Sequence, residues 1–366
     1  MSHKPTTSAV VLILIVAGAF VAVGISPVLA AEATDSTWTV PRTADGHPDL
    51  QGVWANNNAI PLQRPPEWEG KTTLTDAELR ELEAAAAEAT NSGEDALFGD
   101  QLVLAAIART KAESYDPTTG NYNQFWVADR DFSNRTSLVV DPPTGLIPPL
   151  TDEATERLCK QMKYSLAHPA DSWLDRPLPE RCITYGVPFV SSGYNAYFQI
   201  FQNADHVVIE MEMIHDARVI PLKGEAHLDD SIRQWHGDSR GHWEGDTLVI
   251  ETTNYSTSSD FMGARQNLHL IERLTRVGPT ALEYEITVND PSTWTRPWTV
   301  SIPLKGKDES IYEYACHEGN YGMEGMLSGH RAEEAAGKTL AAPDPGTVFR
   351  YAGIVCEETA AATSGP

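Results

Sequence analysis

The chain has 366 residues, of which 51 are acidic and 27 basic, and its formal charge of −24 repels phosphate backbones and anionic lipid surfaces, so nucleic-acid binding is not expected. No apolar run after residue 31 reaches spanning length, which excludes stable membrane insertion of a mature chain. What remains is long enough to bury a large core as one extended domain.

Residues 1–31 read as a signal peptide: Lys4 supplies a basic start, Ala9 to Val23 an apolar run, and Val28-Leu29-Ala30-Ala31 a small-residue exit. Cleavage is expected after Ala30 or Ala31, giving a periplasmic or secreted protein. An uncleaved anchor is the alternative, because Ala9 to Ile25 approaches the length that spans a bilayer. Residues 32–130 read as an N-terminal arm and a helical segment. The arm is rich in Pro, Gly, Asn and Asp and is pinned by Trp38, Trp54 and Trp68. A capping box of Thr75 and Glu78, with Leu74 and Leu79 as hydrophobic staple, opens a helix that ends near Ser92-Gly93. A second helix is expected from Glu94 to about Ala112, burying Leu97, Leu104 and Ile107.

Residues 131–318 read as an antiparallel β domain with one inserted helix, Thr151 to about Ala167. Strands are expected over Thr136 to Val140, Tyr197 to Gln202, His206 to Ile214, Ser239 to Trp243, Thr247 to Thr253, Leu268 to Val277, Ala281 to Val288, Trp298 to Leu304 and Ile311 to Cys316. The alternation of Leu282, Tyr284, Ile286 and Val288 with Glu283, Glu285 and Thr287 is that of a strand with one wet face. Crossover helices between strands are missing, so the strands form a meandering barrel, lipocalin-like, or a sandwich. Residues 319–366 read as a C-terminal helix and a loose tail, with the helical pattern running from Glu318 to Gly337.

Cys159, Cys182, Cys316 and Cys356 make an even number in a chain headed for an oxidising compartment. Of the three pairings, Cys159 with Cys182 and Cys316 with Cys356 is expected, since each pair closes a modest loop. No C-x-x-C spacing supports a zinc or redox motif.

Period two from His206 puts Val207, Ile209, Met211, Met213 and His215 on one face, which points His215 inward as a candidate general base, with Arg218 nearby to orient an anionic group. A hydrogen-bonded structural histidine at a barrel rim is the alternative. Glu272 shares a face with Leu270 and Leu274; if that face is inner, desolvation would raise its pKa and make it a proton donor or acceptor. If the face of His269, Ile271 and Val277 is inner, Glu272 is an ordinary surface acid. In YEYACHEGNY, Tyr312 to Tyr321, the pattern puts His317 and Glu313 together at the end of the last strand, as site residues or as part of a structural turn with helix caps. Trp294 and Trp298, on either side of Arg296, are a candidate aromatic and cationic wall for a planar ligand, with packed aromatic surface as the alternative.

Gly237-Asp238-Ser239-Arg240-Gly241 matches G-x-S-x-G, but the serine leads into a β run and not the helix a nucleophile elbow needs. His215, His227, His236 and His317 could meet at a metal only from distant strands. Phosphate and dinucleotide loops are missing, and no cofactor is expected.

DGHPDLQGVW from Asp45, RTSLVVDPPTG from Arg135, GDSRGHWEGDTLVIETTN from Gly237 and YEYACHEGNY from Tyr312 together resemble a family of secreted bacterial proteins. The resemblance covers most of the mature chain and implies export; it carries over no catalytic residue. The β part loosely resembles the calycin group, in which some members carry apolar ligands and others isomerise or hydrate them. The leading expectation is an exported isomerase, hydratase or lyase acting on a small apolar or aromatic molecule in a barrel cavity. His215, His317 and Glu272 would exchange protons, Arg218 would orient the substrate, and Trp243 and Trp298 would wall the cavity. A carrier of a hydrophobic ligand and a metal-dependent hydrolase are the alternatives, and the oligomeric state leaves no mark in the sequence.

Overall fold

Leu282, Tyr284, Ile286 and Val288 all turn into the core, while the residues between them stay partly exposed, as period two requires. The computed structural model, which describes residues 38–90, 95–111, 122–338 and Cys356, places them on β9 (Ala281–Asn289) of a ten-stranded antiparallel sheet. Its other strands are β1 (Gly52–Ala55), β2 (Val139–Asp141), β3 (Tyr197–Gln202), β4 (His206–Met211), β5 (Ala217–Pro221), β6 (Asp238–Glu244), β7 (Thr247–Thr253), β8 (His269–Gly278) and β10 (Trp298–Lys307). They pair in the order β5-β4-β3-β1-β10-β9-β8-β7-β6, with β2 joined to β10. Strand twist accumulates across such a sheet and brings its two edges round towards each other. Gly241 on β6 lets them approach: a Cβ there would lie 3.0 Å from Ile220 of β5 and 2.7 Å from Leu222. The result is a nearly closed barrel with added helices.

Side chains fill the inside. Trp298, Tyr255, Leu248, Ile250, Leu270 and Ile286 are each less than 2 % exposed, and burying an aliphatic or aromatic side chain contributes about 1.5–3 kcal/mol. A narrow barrel has room for its own side chains and little else, so the core is packed where a ligand lumen was expected.

Two strands escape the sequence pattern. β1 lies in the stretch expected to be an arm, yet it sits between β3 and β10 with Trp54 2 % exposed, its indole N–H donating to the Leu50 carbonyl at 2.8 Å. The run expected as one strand from His206 to Ile214 stops at Met211, turns, and returns as β5. Conversely, Ile311 to Cys316, expected as a strand, is irregular chain.

The helices are α1 (Asp76–Thr90), α2 (Gln101–Ala108), α3 (Asp152–Ala167) and α4 (Tyr321–Ala335). The capping box before α1 is present: Thr75 Oγ1 accepts from the Glu78 amide at 3.3 Å, and Glu78 Oε2 accepts from the Thr75 amide at 2.8 Å. Thr151 caps α3 and Asn320 caps α4 through their side-chain oxygens. α2 is shorter than expected because the chain takes left-handed conformations at Gly99 and Arg109, φ 51° and 55°. Its Leu102, Val103 and Ala106 are buried in a cluster with residues of α1, while Leu104 faces outward, against expectation. The signal peptide, the Ser92-Gly93 stop and the tail after Leu340 lie outside the described residues, Cys356 excepted.

The disulfides are Cys159–Cys356 and Cys182–Cys316, with Cα separations of 5.8 and 5.6 Å, correcting the expected pairing. Closure entropy changes only slowly with loop length, so proximity in the fold decides which sulfurs meet. Two disulfides fit an oxidising compartment. Among the described residues no helix is long and apolar enough to cross a membrane.

Candidate functional site

His215 sits where β4 turns back into β5. Ile214 and His215 both take positive φ, 57° and 46°, and this left-handed step breaks the strand's parity. His215 is therefore exposed, while Glu212 and Asp216 are buried, the reverse of the inward-pointing imidazole expected from period two. Its Nδ1 lies 3.1 Å from the Tyr314 carbonyl oxygen, and its ring centroid is 6.5 Å from that of His317. Two expected site residues, distant in sequence, thus come together.

The segment carrying His317 is fastened at several points. Cys316 is bonded to Cys182, Asn320 Nδ2 donates to the Glu180 carbonyl at 3.3 Å, and Tyr314 packs against the barrel core. Glu212 braces the other side: its carboxylate accepts from Asn195 Nδ2 at 2.6 Å and from the Tyr312 amide at 3.4 Å. Burial pushes the Tyr314 phenol up, helped by Tyr122, and burial of the phenol with Tyr314 nearby does the same for Tyr185. Both are neutral hydroxyls at physiological pH, able to donate a hydrogen bond. Asn320 also lines an open groove of about 600 Å³, which Trp173 shares with Met323 and Leu327 of α4.

Next to His215, Asp216 gathers three further groups. Its Oδ2 accepts from Thr184 Oγ1 at 2.7 Å and from the Tyr185 amide at 3.1 Å, and its Oδ1 lies 3.2 Å from His236 Nε2. Thr184 Oγ1 is also 2.8 Å from His236 Nε2. Gly237 holds the His236 segment against the barrel: at φ 70°, a Cβ would lie 2.5 Å from the Thr253 carbonyl oxygen.

The remaining expected residues are elsewhere. Glu272 does lie on the inner face, 0 % exposed, but both its oxygens are held by Arg218 at 2.7 Å, with the Tyr284 hydroxyl and Thr252 Oγ1 completing its shell. Burial alone would push its carboxyl up; the Arg218 guanidinium and these hydrogen bonds outweigh burial and hold it below its ordinary value. Glu272 is thus an ionised partner in a closed pair and not the protonatable acid expected, and Arg218 spends its guanidinium on Glu272, not on a ligand. Trp298 is core, 5.4 Å from Trp294 and 6.3 Å from Phe261 between ring centroids. Trp243 stacks on His47 at 4.8 Å. The two tryptophans do not share a wall: the register from Trp298 through Val288, Leu270 and Thr252 reaches Ser239, four residues before Trp243. Ser239, the second residue of β6, bonds Thr252 of β7 at 2.9 Å. His227 is paired with Asp238 at 2.9 Å, and among the described residues no three His, Cys, Asp or Glu side chains are grouped to hold a metal ion.

Sequence reasoning missed Thr184 and Tyr185, and it placed Asp216 only as the far side of a strand. The available signal was Cys182, whose bond to Cys316 brings its loop to His317.

Fold and site together define a class: an antiparallel β barrel with a packed interior, carrying histidines and tyrosines at one end on segments tied by a disulfide. No family model matches the chain, and no curated protein or solved structure matches it.

Proposed function

We propose that the protein is an exported enzyme, periplasmic or secreted, that moves protons on a small apolar or aromatic molecule bound at this end of the barrel. The observation that carries the reading is the convergence of His215 and His317, with ring centroids 6.5 Å apart, beside the main chain of Tyr314. Imidazoles exchange protons near neutral pH, and the phenols supply donors for a substrate oxygen. The packed core moves the proposed site from the lumen to the rim, and the groove at Trp173 offers apolar surface next to the same segment. Isomerisation, hydration and elimination all fall within this chemistry. The shared motifs support placement with the secreted bacterial family that the sequence resembles.

The test is hydrogen exchange at carbon. The mature protein is incubated in D₂O with a panel of small aromatic ketones and acids, and deuterium uptake is followed by NMR. His215→Ala and His317→Ala should each retain ligand binding and slow exchange by about 10²-fold or more. Exchange at the wild-type rate in the double variant would refute the reading.

A further inference from the structure

We propose that Asp216, Thr184 and His236 form a carboxylate–hydroxyl–imidazole constellation in which Nδ1 of His236 accepts the proton of the substrate. The inference rests on the reading of this end of the barrel as an acid/base site, and it assigns the base.

Counting hydrogens settles the direction of each bond. Thr184 has one hydroxyl hydrogen, and it goes to the Asp216 carboxylate, which has none to give. The Gly186 amide donates to Thr184 Oγ1 at 2.8 Å. The remaining contact, between Thr184 Oγ1 and His236 Nε2 at 2.8 Å, must then have the imidazole as donor, and the 3.2 Å approach of Nε2 to Asp216 Oδ1 has the same requirement. Nε2 therefore carries hydrogen, and in the neutral ring Nδ1 carries the lone pair. Among the described residues Nδ1 has no hydrogen-bond partner, and it is not sealed from water. Asp216 and Thr184 are 7 % and 2 % exposed, so the orienting half is buried, whereas His236 itself is partly exposed.

Two further histidine–aspartate pairs differ from it: that of His168 with Asp171, at 2.7 Å, is exposed on both sides and has no buried orienting half, and that of His227 with Asp238 differs at the second nitrogen. Asp238 holds His227 at Nδ1, but the opposite nitrogen, Nε2, is buried without a hydrogen bond and has the Glu251 carboxylate 3.7 Å away. An imidazole whose second nitrogen is buried in this way cannot reach a substrate.

In the step proposed, a carbon acid transfers H⁺ to Nδ1, the C–H electron pair stays on the substrate as an enolate, and the imidazolium is compensated by Asp216. Return of the proton to a different carbon completes an isomerisation, with no oxidant or reductant. A neutral imidazole is a weak base, so the substrate class is a carbonyl compound whose C–H is acidified by the adjacent C=O. Tyr185, whose amide bonds the same carboxylate, carries a phenol that can donate to that oxygen.

The first readout needs no substrate. In ¹⁵N-histidine-labelled mature protein, long-range ¹H–¹⁵N spectra of the neutral His236 ring should show the Nε2–H tautomer; a dominant Nδ1–H tautomer overturns the proposal. Diethyl pyrocarbonate, which acylates unprotonated accessible imidazole nitrogens, should modify His236 as well as the exposed His242; modification of His242 with His236 untouched overturns it. The third readout is His236→Gln in the deuterium-exchange assay, where a loss of about 10²-fold or more with ligand binding retained is expected. Exchange at the wild-type rate in that variant overturns the role of His236 while leaving His215 and His317 to their own test.

Discussion

With both Arg218 Nη atoms 2.7 Å from the Glu272 carboxylate inside the barrel, removing one partner strands the other charge away from water. Arg218→Met should cost about 3–5 kcal/mol in urea denaturation, whereas Arg218→Met combined with Glu272→Leu should recover most of it, because the desolvation penalty goes with the charges. The pair also sets a pH dependence. The folded pKa of Glu272 lies below its ordinary value of 4.5, so its contribution is present above that value and fades as pH falls through the folded pKa. Denaturation midpoints of the wild type should fall below about pH 4.5 more steeply than those of the double variant. The inner placement of Glu272 was one of two readings open to period two. Its partner was not legible, since Arg218 meets it only across the interior of the nearly closed barrel.

At the scale of elements, the segment from Tyr312 to Asn320 has no ladder of its own and depends on Cys182–Cys316, Glu212 and Asn320 for its position. Replacing both cysteines by serine should remove about 2–4 kcal/mol of stability. Amide exchange should rise in residues 312–320 and stay slow in β8, β9 and β10, where the ladders are long. Uniform acceleration would show that the disulfide holds the barrel and not the segment. The helices were more readable: the Thr75 and Glu78 capping box and the start of α3 at Thr151 are local events, and each was visible in the order of residues. β1 was not visible, because four residues among Gly, Asn and Pro carry too little periodicity. It becomes a strand because it bridges β3 and the last residues of β10, Lys305 to Lys307, which pair with it on either side.

At the scale of the whole molecule, β1 occupies the middle of the sheet and not its edge. Deleting residues 38–55 should therefore abolish folding, seen as loss of the β signal in circular dichroism, whereas an appended arm could be removed with little effect. Digestion without reduction should release peptides linked through Cys159–Cys356 and Cys182–Cys316; a Cys159–Cys182 peptide would contradict this architecture.

The sequence by itself determined the fold class, most strand and helix positions, the capping box of the first helix and the candidacy of His215 and His317, since periodicity and capping act over a few neighbouring residues. Only the tertiary structure decided which side chains meet. Arg218 pairs with Glu272 across 54 residues, Cys182 with Cys316 across 134 and Cys159 with Cys356 across 197. The left-handed step at Ile214 and His215 turns the histidine out, and barrel closure brings Thr184, Asp216 and His236 to one place. Such meetings depend on how the sheet curls and on one change of strand parity, and neither is written in any short stretch of the chain.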